Sequence, residues 1–283
     1  MKFDIQRIIV VAKAANTQAL DLAENILVWF DARGVQGLVV DNRVDSDILD
    51  VGQRKPDCVI VLGGDGTMLS VARKINGSNI PMLGVNLGNV GFLTETGLDT
   101  WQDMFEDLLA GHVEMSSRAV LQFHVKREGT VIYQGKAVND LVINRGSLAR
   151  LVNLSVRFGG QHLGDIRADG VIVSTPTGST AYSVSAGGPL VYPDLDLFVL
   201  TPICTFLQNF QPMVLPFTHP LFINVQKNNA DVFLTLDGQR GIALQSDDQI
   251  EIIKSATSLQ LIHSRHASYI SKLKAKGFIQ DCP

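Results

Sequence analysis

Short apolar runs alternate with stretches of helical spacing over the first hundred or so residues. The apolar runs predict four strands, at residues 5–11, 35–40, 57–62 and 80–85. Apolar positions that recur every three or four residues predict three helices, at residues 19–30, 68–75 and 101–109. Asn16 or Thr17 is placed to cap the first helix, and Gly34 and Gly111 stand where helices commonly end. Strands that alternate with helices are typical of an α/β domain built on a mostly parallel sheet.

Beyond about Leu121 the pattern changes to short runs in which apolar and polar residues alternate between turn residues. Such runs stand at residues 151–156, 221–225, 232–236 and 249–253. A series of runs with period two predicts antiparallel strands and a β-sandwich. Residues 268–277 return to helical spacing, with lysines on the exposed face. We therefore predict an α/β domain at residues 1–118, an all-β sandwich domain at 119–266, and a C-terminal segment, 267–283, that packs back on the first domain.

Composition and charge narrow the class of protein. With 283 residues the chain has room for about two domains at roughly 150 residues each. A hydrophobic content of 46% and a charged content of 18% are typical of a folded protein. The formal net charge of −4 gives no electrostatic drive toward a phosphate backbone, so we expect no nucleic acid partner.

The cysteines and the apolar runs indicate the compartment. Cys58, Cys204 and Cys282 lack CxxC spacing and the density of a disulfide framework, so we expect free thiols in a reducing compartment. No run reaches the roughly 18 apolar residues of a membrane span, so we expect no membrane partner. These features predict a cytoplasmic location.

A glycine loop, Gly63-Gly64-Asp65-Gly66-Thr67, follows the third predicted strand. Backbone N–H groups of such a loop, together with the start of the next helix, form a positive concavity suited to phosphate oxygens. The spacing matches neither GxxxxGK[ST] nor GxGxxG. A carboxylate beside a phosphate site either coordinates Mg²⁺ or accepts a proton from an attacking hydroxyl, and both roles indicate phosphoryl transfer. The alternative is a tight turn in which Asp65 merely caps the helix.

A second group of polar residues lies in the C-terminal half. The segment Asp169–Pro189 begins as an apolar strand and continues into small hydroxylated residues around Gly178. Hydroxyls of this kind bond to ribose and phosphate oxygens, and Tyr182 offers a ring for stacking. Asn139 and Asp140, between two apolar runs, add an amide for an adenine edge and a carboxylate for a ribose diol. These residues predict a nucleotide pocket, although a serine-rich surface turn is the alternative.

Four segments together resemble the NAD kinase family, in the order found there: Gly63–Thr67, Gly84–Leu93, Asn139-Asp140 and Asp169–Pro189. The last segment is highly specific, whereas Gly-Gly-Asp-Gly also occurs in lipid kinases and phosphofructokinases. The resemblance implies a Rossmann-like, phosphofructokinase-like α/β domain and a β-sandwich. It also implies transfer of the ATP γ-phosphoryl group to NAD, with Mg²⁺ carried on ATP, by a homodimer or homotetramer.

The resemblance also implies roles for individual residues. Asp65 lies beside the 2′-hydroxyl of the adenosine ribose as a base or orienting group. The residues implied near phosphates are Gly63, Gly64, Gly66 and Thr67. Those implied to hold the dinucleotide are Phe92 against a ring, Asn139 and Asp140 on adenine and ribose, Asp169 at the nicotinamide end, and Thr180, Ala181, Tyr182 and Ser185 along the pocket. No residue is assigned as a metal ligand.

Two departures from the family pattern keep alternatives open. Asp140 stands where the family usually has Glu, which leaves a longer or water-mediated ribose contact. Phe206 and Gln211 stand where a histidine and an arginine are usual, in the segment 205–211. A binding module that lost the transfer chemistry is therefore one alternative, and a lipid or sugar kinase is another. His263 and His266 lack neighbouring ligands in sequence, so we expect them at the surface without a metal.

Overall fold

The structure, a computed structural model, describes residues 4–13, 15–42, 55–75, 78–89, 91–146, 150–206, 210–227, 231–266 and 268–280. The chain divides into two compact units. The first consists of Met1–Ser117 and Leu259–Pro283, and the second of Arg118–Ser258. Each is built on its own sheets and its own core.

The helices are α1 (Thr17–Asp31), α2 (Asp65–Ile75), α3 (Trp101–Ala110), α4 (Tyr182–Ser185) and α5 (Tyr269–Ala275). The first five strands in chain order are β1 (Arg7–Ala12), β2 (Gln36–Asp41), β3 (Cys58–Leu62), β4 (Met82–Val85) and β5 (Val113–Arg118). The next seven strands are β6 (Leu121–Arg127), β7 (Thr130–Ala137), β8 (Asp140–Arg145), β9 (Val152–Phe158), β10 (Gln161–Ala168), β11 (Gly170–Ser174) and β12 (Leu197–Ile203). The last six are β13 (Met213–Pro216), β14 (Leu221–Val225), β15 (Val232–Leu236), β16 (Arg240–Leu244), β17 (Gln249–Lys254) and β18 (Leu259–Ser264).

The first unit is a six-stranded sheet in the order β2-β1-β3-β4-β18-β5, and the pairs from β2 to β18 are parallel. All five residues of β3 are buried, as expected for a central parallel strand covered on both faces. Asn16 caps α1, because its Oδ1 accepts the Ala19 N–H at 3.1 Å. Gly111 ends α3 in the left-handed conformation that glycine adopts without strain.

The second unit contains two six-stranded sheets whose recorded strand pairs are all antiparallel. Their orders are β10-β9-β14-β17-β6-β7 and β13-β12-β11-β8-β15-β16. One apolar cluster joins inward-facing residues of both sheets, such as Phe123 on β6 and Phe198 on β12, which are fully buried. Side chains that alternate between this core and the outer face explain the period-two pattern of the sequence.

The predicted fold class, an α/β domain plus an all-β sandwich, is confirmed. The structure differs in where the last strand belongs. Residues 259–266 were assigned to the sandwich, but β18 pairs with β4 in the parallel sheet of the first unit. An isolated apolar run does not reveal which sheet it joins, because the pairing partner is distant in sequence. Among the described residues, no helix is long and apolar enough to cross a membrane.

Phe30→Ala is expected to lower the free energy of unfolding of the first unit by about 3–5 kcal/mol, because it leaves a cavity in a closed core. The Phe30 side chain is fully buried, and its ring centroid lies 5.0 Å from that of Phe105. Both tryptophans of the chain, Trp29 and Trp101, belong to this core, so their fluorescence in urea reports on the first unit. Val28→Ala, at a position that is 71% exposed on the same helix, is the control and should change stability by less than about 0.5 kcal/mol. Equal effects of the two changes would contradict the packing described here.

Candidate active site

The turn between β3 and α2 depends on glycine at position 63. Gly63 has a φ of +150°, and a Cβ added there would lie 2.5 Å from Thr67 Oγ1. Its N–H donates to the Val85 carbonyl at 2.9 Å, so the pairing of β3 with β4 continues into the turn. The Gly64 carbonyl then accepts the N–H groups of Thr67 and Met68 at 3.0 and 3.1 Å. A turn of only two residues, Gly63 and Gly64, thus connects the buried strand β3 to α2.

Asp65 is the first residue of α2, and its carboxylate holds the segment that follows β4. Oδ2 accepts the Phe92 N–H at 2.9 Å, and Oδ1 accepts the Leu93 N–H at 3.0 Å. A Cβ added at Gly91 would overlap the carboxylate, so glycine is required for this close approach. A residue that only capped α2 would accept N–H groups of α2 itself, whereas Asp65 accepts N–H groups of Phe92 and Leu93, which lie outside this helix. Two backbone donors fix the carboxylate orientation, and each oxygen keeps a lone pair for a further donor.

Buried polar side chains shape the segment that Asp65 holds. Asn86 Oδ1 accepts the Gly88 N–H at 2.7 Å, and Thr94 Oγ1 accepts the Gly91 N–H at 2.6 Å. Thr94 is fully buried and Asn86 is 7% exposed, so these bonds are shielded from water. Val90 belongs to the same motif but lies outside the described residues. The motif therefore fixes backbone amides that face a carboxylate.

In the second unit a carboxylate also holds a backbone segment. Asp237 follows β15, and its Oδ1 accepts the Asn139 N–H at 2.7 Å and the Asp140 N–H at 3.2 Å. Its Oδ2 accepts the Val138 N–H at 3.2 Å. The three consecutive amides form a concavity occupied by this anion. Sequence analysis missed Asp237, although the Asp-Gly pair directly after the predicted strand at residues 232–236 was a local signal that could have indicated it.

Asp140 begins β8 and lies beside Asp237. Its side chain is only 4% exposed. Burial, with a smaller contribution from the negative charge of Asp237, raises the pKa of Asp140 from 3.8 to about 7. Ser174 lies opposite Asp140 in the pairing of β11 with β8, and its buried Oγ has no partner among the described residues. The start of β8 is therefore a buried polar site in which a carboxyl group titrates near neutral pH.

The small-residue segment after β11 packs directly on the backbone of Asn139. Thr175 donates its N–H to the Asn139 carbonyl at 2.9 Å and its hydroxyl to the Val138 carbonyl at 2.7 Å. The Thr175 hydroxyl in turn accepts the Gly178 N–H at 3.0 Å. A Cβ added at Gly178 would overlap the Asn139 backbone, so only glycine permits this contact. The structure thus brings together the two segments that the sequence predicted for a nucleotide pocket.

The hydroxyls of this segment divide into structural and available groups. Ser179 Oγ donates to the Pro176 carbonyl at 2.7 Å, and Ser183 Oγ lies 2.9 Å from Thr201 Oγ1. Thr177 Oγ1 is buried and has no partner among the described residues. The predicted pocket residues are less enclosed: Thr180 and Ala181 are half-buried, and Tyr182 and Ser185 are exposed. Tyr182 is 46% exposed at the start of α4, so its ring is available for stacking.

Asp169 forms an ion pair that the sequence did not reveal. Arg145 Nε donates to Asp169 Oδ1 at 2.6 Å, and both side chains are about one-third exposed. The pair forms because β8 and β11 are antiparallel neighbours, which places the end of one beside the start of the other. Arg145 therefore orients the carboxylate that was predicted for the nicotinamide end.

The structure also places part of the atypical segment 205–211, His263 and two of the cysteines. Phe206 is 50% exposed, with the Arg167 guanidinium 5.1 Å from its ring centroid, while residues 207–209 of the atypical segment lie outside the description. His263 is not at the surface: its side chain is 14% exposed and Nδ1 lies 3.0 Å from Glu95 Oε2. Glu95 is 168 positions away, so no sequence neighbour indicated it. Cys58 and Cys204 are free, and Cys282 lies outside the described residues.

A glycine turn that presents an oriented carboxylate is typical of a phosphotransferase, and the amides, hydroxyls and carboxylates at strand ends of the second unit are typical of nucleotide binding. The ATP-NAD kinase N-terminal domain family matches residues 8–113, and the ATP-NAD kinase C-terminal domain family matches residues 138–264. An NAD kinase of Nitratidesulfovibrio vulgaris is 47% identical over 277 residues, covering 98% of each chain. An NAD kinase of Geobacter sulfurreducens is 37% identical, covering 96% of this chain and 98% of that protein. The chain therefore belongs to the NAD kinase family.

Solved structures agree with this assignment. Yeast NADH kinase, crystallised with NADH, has a TM-score of 0.83 and 25% identity, covering 99% of this chain and 90% of that chain. An NAD kinase from Archaeoglobus fulgidus, in complex with ATP, has a TM-score of 0.75 and 24% identity, covering 95% of this chain and 98% of that chain. The second likeness concerns the fold alone.

Asp140→Asn is expected to raise the thermal midpoint more at about pH 8 than at about pH 5. Because the folded pKa of Asp140 is about 7 and the ordinary value is 3.8, the folded protein retains a proton that the unfolded chain has lost. The extra stability from this proton is fully present below pH 3.8, the ordinary pKa, and is lost as the pH rises to about 7, the pKa in the folded protein. The total loss in the free energy of unfolding is at most about 4 kcal/mol.

Thermal unfolding at both pH values measures the effect of Asp140→Asn. Asparagine stays neutral, so the difference between variant and wild type should widen with pH. Glu24→Gln, at an exposed position of α1, controls for the loss of one carboxylate. The same difference at both pH values would show that Asp140 is ionised normally in the folded protein.

Proposed function

We propose that this chain transfers the γ-phosphoryl group of ATP to the 2′-hydroxyl of the adenosine ribose of NAD, giving NADP and ADP. The chain is an enzyme of the NAD kinase family, with full-length relatives named NAD kinase. The observation that carries the proposal is the orientation of Asp65 at the start of α2, where two backbone amides hold its carboxylate. A protein that only bound the dinucleotide would gain nothing from an anion beside phosphates.

In the proposed step the 2′-oxygen attacks the γ-phosphorus in line with the leaving oxygen of ADP. The new O–P bond forms as the bond between the γ-phosphorus and its bridging oxygen breaks, and the hydroxyl proton passes to Asp65. Each Asp65 oxygen has a lone pair left after its backbone bond, so the carboxylate is able to accept this proton. Alignment and charge neutralisation supply most of the catalysis in phosphoryl transfer.

Residues of the glycine turn are proposed to bind the ATP phosphates. The N-terminus of α2 carries a partial positive charge, and Gly66 is exposed there. Gly63, Gly64 and Thr67 complete the turn. Mg²⁺ is proposed to enter as the magnesium complex of ATP and is therefore part of the substrate.

Residues of the second unit are proposed to bind NAD. Asn139 and Asp140 contact adenine and ribose, and the amides held by Asp237 keep this pair in place. Asp169, oriented by Arg145, contacts the nicotinamide end. The remaining proposed contacts are the exposed or half-buried residues of the small-residue segment, Thr180, Ala181, Tyr182 and Ser185, and the ring of Phe92.

The proposal also covers assembly and location. A homodimer or homotetramer is proposed from the family resemblance. A cytoplasmic location is proposed from the cysteine spacing, which is typical of a reducing compartment.

Asp65→Asn is expected to lower turnover about 10²- to 10⁴-fold while NAD binding persists, because it removes the base and keeps the shape. NADP formed from NAD, ATP and Mg²⁺ is measured with an NADP-specific coupled dehydrogenase, and NAD binding by calorimetry. Asp103→Asn, at an exposed position of α3, is the matched control. Near-normal turnover by Asp65→Asn would remove Asp65 from the mechanism. Binding of NAD without product by wild type would favour the binding-module alternative.

Gly91→Ala is expected to reduce turnover at least about 100-fold, because a new Cβ meets the Asp65 carboxylate and displaces a catalytic group. Gly97→Ala is the matched control, since a Cβ at Gly97 meets no atom within 4 Å. The coupled assay compares both variants, and their thermal midpoints show whether each is folded. Equal activity of the two variants would contradict the close approach of Gly91 to Asp65.

A further inference from the structure

The C-terminal helix α5 carries a lysine whose ammonium group is bound by the segment after β4. Lys272 Nζ lies 2.9 Å from the Thr94 carbonyl, 3.3 Å from the Phe92 carbonyl and 3.0 Å from Glu95 Oε2. A lysine ammonium has three N–H donors, and these three acceptors match them. The Lys272 side chain is only 17% exposed, so the contacts are largely shielded from water. A surface lysine would not require this arrangement.

Glu95 supplies the negative charge that makes this position favourable for a lysine. Its carboxylate is 3% exposed and also accepts the Ser264 N–H at 3.1 Å. Burial acts to raise the pKa of Glu95, but the hydrogen bond from His263 and the charge of Lys272 outweigh burial and leave the pKa below its ordinary value. His263 is itself held by Ser116, whose Oγ lies 2.6 Å from Nε2. The ion pair is thus anchored to β5 and β18.

Aromatic contacts also connect the C-terminal residues to Phe92. The Phe92 ring centroid lies 6.2 Å from that of Tyr269 and 5.9 Å from that of Phe278. Tyr269 is the first residue of α5, and Phe278 follows its end. α5 and Phe278, three positions beyond its end, therefore contact both the ring and the backbone of Phe92.

One peptide group links Lys272 to Asp65. The Phe92 carbonyl and the Leu93 N–H belong to the same peptide unit. The carbonyl accepts from Lys272 Nζ, and the N–H donates to Asp65 Oδ1 at 3.0 Å. A cation at the carbonyl polarises the peptide and strengthens the bond that its N–H donates. The chain of contacts thus runs from the ammonium through a single peptide to the carboxylate.

We propose that Lys272 is a positioning residue for phosphoryl transfer, which acts by fixing the Phe92–Leu93 peptide that orients the Asp65 carboxylate. The inference rests on the proposed function, in which Asp65 takes the proton of the 2′-hydroxyl. Lys272 does not touch the reacting atoms in this proposal. Its loss therefore misaligns Asp65 without removing a contact to NAD.

The test compares Lys272→Met with Lys276→Met, which removes the same charge at the exposed end of α5. Lys272→Met is expected to lower kcat about 10- to 100-fold with the KM for NAD changed less than about twofold. Lys272→Arg restores the cation and is expected to recover part of kcat. Lys276→Met is expected to behave as wild type. Unchanged kcat in Lys272→Met, or a rise in KM alone, would overturn the inference.

A double-mutant cycle separates positioning from a general loss of stability. In the Asp65→Asn background, Lys272→Met is expected to change single-turnover rates less than about twofold, because the group that it positions is already gone. The same 10- to 100-fold loss in both backgrounds would indicate a merely structural role and overturn the inference. All rates are taken well below the thermal midpoint of each variant. Lys272→Gln, which keeps two N–H donors, replaces Lys272→Met if that variant does not fold.

Hydrogen exchange supplies a readout that is independent of activity. The amide of Leu93 is expected to exchange faster in Lys272→Met than in wild type, while amides of β1 are unchanged. Unchanged exchange at Leu93 would overturn the inference. Absence of NADP from the wild-type protein would instead overturn the proposed function, and the exchange result would still report on the link between Lys272 and the segment held by Asp65.

Discussion

Contact between a carboxylate and main-chain amides is the constraint on which the candidate functional residues of each unit depend. Asp65 accepts two consecutive amides, and Asp237 accepts three. Backbone donors cannot rotate away as side chains do, so each carboxylate is held in one orientation. The requirement for glycine at position 91 follows from the same constraint, because a Cβ there would collide with the Asp65 carboxylate. Gly178 is required for a different reason, since a Cβ there would collide with the Asn139 backbone.

The first unit stabilises this arrangement in two layers. Asn86 accepts the Gly88 N–H and Thr94 accepts the Gly91 N–H, just before the two amides that bind Asp65. The Asn86 and Thr94 side chains also bond to each other. Lys272 and Glu95 then hold its carbonyl side, with β18 supplying His263. Because β18 and α5 follow the second unit in sequence, the geometry around Asp65 depends on residues about two hundred positions away.

The second unit contains a buried carboxyl group, that of Asp140, whose pKa lies well above its ordinary value. Asp140 is one methylene shorter than the glutamate that the family usually has, and its burial, with a smaller contribution from the charge of Asp237, raises its pKa to about 7. A carboxyl group of this kind is a donor below that pH and an acceptor above it. Arg145 contributes a cation beside Asp169, at the opposite end of β8 from Asn139 and Asp140. The nucleotide contacts proposed here thus mix donors and acceptors, as recognition of ribose and amide groups requires.

The sequence by itself determined the fold class, the first four strands and three helices of the first unit, and the two polar segments that it predicted for the site. Local periodicity and glycine spacing carry this information, because helix, strand and tight turn are set by neighbours in the chain. Only the tertiary structure decided that β18 joins the parallel sheet, that Asp237 binds the Asn139 segment, and that Arg145 meets Asp169. The prediction that His263 lies at the surface was wrong, because its largely buried side chain contacts Glu95. These contacts depend on which strands become neighbours, and pairing between distant segments leaves no local periodicity by which a single sequence could reveal it.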